Sequence, residues 1–193
     1  MRYSAEHKQE TRARVMAAAG QVFREQGYGG AGIDAVTKVA GVTNGAFYGH
    51  FKSKSAAFRT AVVSGLDELR QGIATLKAEQ PKGWLKAFIS YYLGYKRTCG
   101  LGEACALPTF SPDVMRADDK TRNAYTAELL RLIDEIAGGL SAESSGQSES
   151  ARQDRAVVLL AMLSGGVTLA RAVSDPDLAE RIARVVEAEA SKQ

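Results

Sequence analysis

Val39-Ala40-Gly41-Val42-Thr43-Asn44-Gly45-Ala46-Phe47-Tyr48-Gly49-His50-Phe51-Lys52-Ser53-Lys54 is the stretch that decides how this chain is read. Ala40-Gly41-Val42 ends one short helix in a tight turn, because glycine takes the left-handed conformation without a Cβ clash. Thr43 follows as an N-cap whose hydroxyl accepts from the orphan amides of the next turn. The helix it opens presents Asn44, Gly45, Tyr48 and His50, small or polar residues suited to touching a partner. Phe47 and Phe51 anchor it from the inner side, and Ser53 caps the helix that comes after. A short capped helix following a glycine turn has the geometry that enters a DNA major groove.

Around this stretch, the 193 residues are 45% hydrophobic, enough for a sizeable core as one large domain or two small ones. No run of about 18 apolar residues is present, so no transmembrane helix and no membrane partner are expected. Met1 to Arg14 is polar and lacks the apolar core of a signal peptide. Two cysteines, Cys99 and Cys105, make no disulfide framework, and a reducing cytoplasm is the expected compartment. The net charge of +3 is unevenly spread: residues 1–60 hold nine Lys/Arg against four Asp/Glu, and residues 61–193 hold sixteen against eighteen. A basic N-terminal third on a near-neutral remainder points to a polyanion partner for that third.

Helical spacing dominates the chain. Val15, Ala18, Ala19, Val22 and Phe23 form an amphipathic stripe, predicting a helix from about Lys8 to Gln26 that stops at Gly27. Ile33, Val36, Val39 and Ala40 make a second stripe, and Phe58, Val62, Leu66, Leu69, Ile73 and Leu76 mark the fourth helix. After Gln80-Pro81-Lys82-Gly83 a fifth helix carries Trp84 to Tyr95, and Cys99 to Phe110 reads as irregular. Ser111-Pro112-Asp113 reads as a helix start. Ser141 to Ser150 reads as an exposed loop, a helix follows from about Ala151 to Val173, and another begins at Asp175-Pro176. No stretch alternates at period two. The expected fold is all-α, with about nine helices: a helix-turn-helix head over residues 1–58, linked by a helix at about 54–78 to a body over residues 59–193.

The head resembles the TetR family of bacterial transcriptional regulators. The resemblance rests on Thr11-Arg12, Ala17-Ala18-Ala19 through Phe23, Gly27-Tyr28, Ala40-Gly41-Val42-Thr43, Gly45, Phe47-Tyr48, His50-Phe51 and Lys52-Ser53-Lys54, covering about residues 8 to 58. Further on, Ala170-Arg171-Ala172-Val173-Ser174-Asp175-Pro176 is similar to the last inter-helix corner of one branch of that family. The chain departs from the family at Ala31-Gly32, where hydroxyl residues usually cap the second helix and meet a phosphate. The resemblance implies an all-helical homodimer that represses a promoter by binding double-stranded DNA, and releases it when a small molecule enters the C-terminal body.

Phosphate and base contacts need different chemistry. Lys54, in the first turn of the fourth helix, combines a cation with free amides as a phosphate clamp. Tyr48, His50 and Thr43 are donors for the backbone. Asn44 can pair bidentately with adenine, Gly45 permits close approach, and Ala46 offers a methyl to thymine. Arg2, Lys8 and Arg12 form a basic arm. No catalytic, metal or cofactor site is expected. Gly27-Tyr28-Gly29-Gly30-Ala31-Gly32 spells the dinucleotide G-x-G-x-x-G, but no strand precedes it, so it reads as an inter-helix turn.

In the body, Trp84, Phe88, Tyr91, Tyr92, Tyr95, Phe110, Tyr125, Leu129 and Met162 are the candidate ligand pocket, the resemblance placing the inducer among these helices. The tyrosine hydroxyls would orient a moderately apolar, aromatic or planar molecule. The dimer face is expected on the last two helices, at Leu159, Leu163, Gly166, Val167, Ala170, Leu178, Ile182, Val185 and Val186. The resulting four-helix bundle would hold two recognition helices about 34–36 Å apart over a palindrome. The alternative readings are an all-helical small-molecule binding protein, or a redox or electrophile sensor acting through Cys105, with Cys99 as a second candidate thiol.

Overall fold

A computed structural model describes residues 5–140 and 148–192. Among them there are helices and turns and no strand, so the all-α expectation holds. The helices are α1(Ala5–Gly30), α2(Ile33–Ala40), α3(Asn44–Tyr48), α4(Lys54–Glu79), α5(Trp84–Leu93), α6(Tyr95–Thr98), α7(Ala106–Val114), α8(Asp119–Ala137), α9(Glu149–Ala172) and α10(Pro176–Ala190), with a 3₁₀ turn at Leu101–Glu103. The expected loop of residues 141–150 lies for its first seven residues outside the described part. The one-turn α6 arises because Gly94 breaks the fifth helix, setting Tyr95 off from Trp84 and Phe88.

The chain divides into two compact units, Met1–Gly65 with Leu101–Tyr125, and Leu66–Gly100 with Thr126–Gln193. The first therefore takes in a segment beyond the single cut after residue 58. Its core is the stripe read from the sequence: Val15, Ala18, Ala19, Val22 and Phe23 of α1, with Phe47, Phe51, Phe58, Val62 and Phe110, all buried. Phe58 meets Phe23 and Phe110 edge-on, with ring centroids 5.2 and 5.6 Å apart, the arrangement favoured by the ring quadrupoles.

Helix α1 breaks where expected but does not stop there: Gly27, at φ 68° and ψ 169°, interrupts the helical path, and a last short helical segment runs to Gly30. That conformation is essentially restricted to glycine. In contrast, Ser111-Pro112-Asp113 does not start a helix. α7 begins at Ala106, its first turn accommodates Pro108, and Pro112 sits inside it. The true start signal is Asp118, whose Oδ1 accepts from the Thr121 amide at 2.8 Å to cap α8. Hydrogen bonds from Thr121 and then from Ser55 hold the Asp118 carboxyl below the usual carboxylate range.

In the second unit, α9 and α10 pack on each other and on α5. Ser148 caps α9 through the Ala151 amide, 3.2 Å from its Oγ. Asp175 caps α10, its Oδ1 accepting from the amides of Asp177 and Leu178, with Pro176 at the first position. Arg171 donates to the carbonyls of Lys96, Arg97 and Cys99 at 2.8–3.0 Å, satisfying the open end of α6. α9 is long and apolar enough to cross a membrane by length and composition alone, a test that a buried core helix also passes. Its Leu159, Leu160, Leu163 and Val167 are buried within the protein.

Candidate nucleic-acid interface

The turn between α2 and α3 is built as the sequence predicts. Gly41 adopts φ 64° and ψ 39°, and Val42 then donates to the Thr37 carbonyl at 3.0 Å, the long bond of a Schellman ending. Thr43 is extended, and its Oγ1 accepts from the Ala46 amide at 3.2 Å. Behind α3, Phe47 and Phe51 are buried with ring centroids 5.6 Å apart. Anchored in this way, α3 leaves Thr43, Asn44, Gly45 and Tyr48 exposed, with Ala46 and His50 half-buried. Tyr48 is 55% exposed, enough for its hydroxyl to reach a partner.

Around this face lies a rim of cations. Lys8 and Arg12 are exposed on α1, and the Arg12 guanidinium stands 5.4 Å from the centroid of Phe51. His50 feels both: partial burial, then the positive charges of Arg12 and Lys8, push its pKa below the ordinary value of 6.5. Ser53 caps α4 through the Ala56 amide at 3.1 Å. Lys54 then sits in the first turn, where its ammonium lies 4.6 Å from the centroid of Tyr28. That cation–π contact steers a long side chain that would otherwise be free to wander. Lys52 is exposed between His50 and Lys54 and was not singled out from the sequence; its charge, in a stretch 33–54 whose sole acid is Asp34, was the available signal. Arg2 lies outside the described residues.

Asn44 stands differently from its expected role. Its Nδ2 donates to Asp34 Oδ1 at 2.6 Å, and its Oδ1 accepts from Thr37 Oγ1 at 2.9 Å. Both ends of the amide are engaged in bracing α3 against α2. The brace also supplies what the hydroxyl-free start of α2 lacks. Gly32 caps α2 with no side-chain bond, and Asp34, in the first turn where a negative charge meets the helix dipole, is tied down by Asn44.

The nine candidate pocket residues are divided between the two units. Phe110 and Tyr125 belong to the first unit. Phe110 is fully buried beneath Arg24, 5.1 Å from its ring centroid, and the Tyr125 hydroxyl bonds Ser111 Oγ at 2.8 Å. In the second unit Phe88 and Tyr92 pack edge-on in the core, 5.5 Å apart. Tyr91 and Tyr95 instead stack on each other at the surface, while Leu129 and Met162 are half-buried. Trp84 is buried, and its Nε1 donates to the Gly139 carbonyl at 3.1 Å. Aromatic count and helical spacing cannot separate these fates.

The residues of the expected dimer face fall into two groups. Leu159, Leu163, Gly166, Val167 and Ala170 are buried within the chain, and a Cβ on Gly166 would lie 3.0 Å from Val186. On α10 Leu178 and Val185 of that face are exposed and Ile182 and Val186 half-buried, while α9 exposes the adjoining Val157, Val158 and Leu169. Cys105 is buried and Cys99 half-buried, and neither is in a disulfide. Of residues 27–32, Gly27 kinks α1, Tyr28 to Gly30 continue it, and Ala31-Gly32 join it to α2.

Residues 15–60 match the family model "Bacterial regulatory proteins, tetR family". The chain is 28% identical over 115 residues to the HTH-type transcriptional repressor DhaR of Mycobacterium sp. (strain GP1), covering 60% of this chain and 56% of that protein. It is 40% identical over 57 residues to the HTH-type transcriptional regulator AcrR of Shigella flexneri, covering 30% and 26% respectively. The match thus spans about half the length of the first relative and a quarter of the second. Among solved structures, a TetR-family regulator from Agrobacterium tumefaciens superposes with a TM-score of 0.76 at 20% identity, over 94% of this chain and 98% of that one. The reduced form of E. coli NemR does so with 0.75 at 22% identity, over 91% and 94%. These likenesses carry the fold along nearly the whole chain.

Proposed function

We infer the function from one premise, that the chain belongs to the tetR family of bacterial regulatory proteins. It is a ligand-responsive transcriptional regulator that binds a palindromic operator as a homodimer, represses from it in the cytoplasm, and is released by a small-molecule inducer. No reaction is catalysed in this reading. The observation that carries it is the Thr43-capped α3, exposed on one face and anchored by Phe47 and Phe51 on the other, with Lys8, Arg12, Lys52 and Lys54 around it.

The division of labour follows from the chemistry. Lys54 and Tyr48 grip phosphates, joined by Lys8, Arg12, Lys52 and a protonated His50; Gly45 and Ala46 bring the helix close to the base edges. Thr43 and Asn44 hold α3 in place. The exposed apolar residues of α9 and α10 support a two-fold interface, which sets the spacing of two recognition helices. Domain roles follow the same line, with DNA binding in the N-terminal head and ligand binding and dimerisation in the remainder.

Titrating fluorescein-labelled duplex from immediately upstream of the gene, at several salt concentrations, tests this. The expected outcome is specific binding whose log K falls linearly with log salt. Salt-insensitive binding, or none to any duplex, would overturn it.

A further inference from the structure

One cleft in the second unit, with a volume of about 790 Å³, is bounded by the α4–α5 turn, the end of the α8 segment at Gly139-Leu140, Arg155 of α9 and the end of α10. Its size is that of a small-molecule site. Its lining is unusual in charge: Lys82, Lys86, Arg155 and Lys192 contribute to it, and among the described residues no Asp or Glu does. Residues 61–193 carry more acids than bases, so a wall with four cations and no carboxylate inverts the character of the surrounding chain. Lys192 is partly compensated by Glu189, 2.5 Å away, and Arg155 is itself engaged within the protein; among the described residues no acid lines the cleft.

The remaining walls are mostly apolar, chiefly Trp84, Leu85, Ile89 and Leu140. The indole N–H of Trp84 is already committed to the Gly139 carbonyl, so the ring offers the cleft apolar surface rather than a donor. A concave apolar wall with like charges gathered beside it concentrates the opposite charge. We propose that this cleft binds a small organic anion with an apolar body, its charged group held by the lysines and Arg155 and its body laid against Trp84, Leu85 and Ile89. The proposal does not rest on the DNA-binding reading, and its test uses no DNA.

Trp84 is the sole tryptophan of the chain, so its emission reports on the cleft directly. The full chain is titrated separately with sodium decanoate, decanol and decyltrimethylammonium bromide, each below its micellar or solubility limit. Decanoate is expected to change the emission saturably and to bind about tenfold more tightly than decanol, with decyltrimethylammonium inert. The double substitution Lys82→Ala/Lys86→Ala, at two exposed positions, is expected to weaken decanoate about fivefold or more and leave decanol unchanged. If that variant loses its helical circular dichroism, Lys192→Ala is measured in its place, with a smaller loss in the same direction. Equal binding of all three amphiphiles, no emission change with decanoate, or unaltered decanoate affinity in a folded lysine variant would each overturn the proposal.

Discussion

The backbone amide of Tyr28 donates to Asp113 Oδ2 at 2.7 Å, joining the turn after Gly27 to helix α7 across 85 residues of sequence. Gly27 makes the bond possible: its positive φ turns the chain so that the next amide points away from α1, and a Cβ there would lie 3.3 Å from the same carboxylate oxygen. A part-buried hydrogen bond to a charged acceptor contributes about 1.5–3 kcal/mol. Asp113→Ala is therefore expected to lower the urea midpoint by an amount equivalent to about 1–2 kcal/mol, with the slope unchanged. Asp113→Asn keeps an acceptor and should lose less. Equal losses for the two substitutions would mean that the bond itself contributes nothing.

Lys54 and Tyr28 are a second such pair, and here the consequence falls on DNA. The cation stands over the Tyr28 ring, steered but still half-exposed. Lys54→Ala is expected to weaken binding to every duplex alike and to reduce the slope of log K against log salt by about 1. Tyr28→Leu keeps the charge and removes the ring, so it should cost affinity while leaving the salt slope in place. Fluorescence anisotropy at four salt concentrations separates the two; an unchanged slope for Lys54→Ala would remove it from the phosphate contacts.

Asn44 is expected to behave as a brace rather than as a base reader. Removing its amide leaves the Asp34 carboxylate and the buried Thr37 hydroxyl without this partner. Asn44→Ala should then cost about 1–2 kcal/mol of stability and weaken operator and mutated operators by the same factor. A base reader would do the opposite, relaxing preference at one position with stability intact. A panel of single-base operator variants, run beside thermal unfolding, distinguishes them.

His50 couples binding to pH. In the free protein, partial burial and the charges of Arg12 and Lys8 hold its pKa below 6.5, so the neutral form prevails at pH 7. A phosphate placed beside it would raise that pKa, and binding would take up a proton. Operator affinity should rise as pH falls through the range below about 6.5, and His50→Gln should flatten that rise. Stability runs the other way. The unfolded histidine binds its proton more readily, so this contribution is complete above 6.5 and is lost as pH falls below it. Opposite signs for affinity and stability in one buffer series are the signature; a flat affinity profile in the unmodified protein would take His50 off the backbone.

How far this was legible in the sequence depends on whether the signal was local. The cap at Thr43, the turn at Gly41, the break at Gly27 and the start at Asp175-Pro176 each depend on a few adjacent residues and their backbone preferences, and all four are found. Ser111-Pro112-Asp113 misled because it carries the same local signals inside a helix already begun at Ala106. The Asn44 brace was invisible for a different reason: it needs Asp34 and Thr37 brought together by the turn, and periodicity says nothing about which polar side chains face each other. The burial of the aromatic set was hidden on the same count, since Tyr92 and Tyr91 are neighbours with opposite fates, one in the core and one at the surface.

In the proposed dimer, the face turns on a shift of one position along α9. A broad apolar helix has more than one apolar stripe, and sequence alone does not say which one the chain's own core consumes. Here Leu159, Leu163 and Val167 are consumed. Val158, Ala161, Gly165, Leu169 and Ala172, spaced by three or four residues, remain exposed on α9. A Cβ added at Gly165 would meet nothing within 4 Å, which leaves room for a partner helix to approach. Leu169→Glu combined with Val185→Glu, at positions 61% and 56% exposed, is therefore expected to convert a dimer to a folded monomer by light scattering, with helical content retained and operator affinity lost. Leu159→Ala should instead leave a core cavity, cost about 2–5 kcal/mol of stability, and spare the dimer at temperatures where the chain stays folded. If Leu159→Ala dissociates a folded dimer while the double glutamate variant remains dimeric, the interface lies on the buried stripe after all.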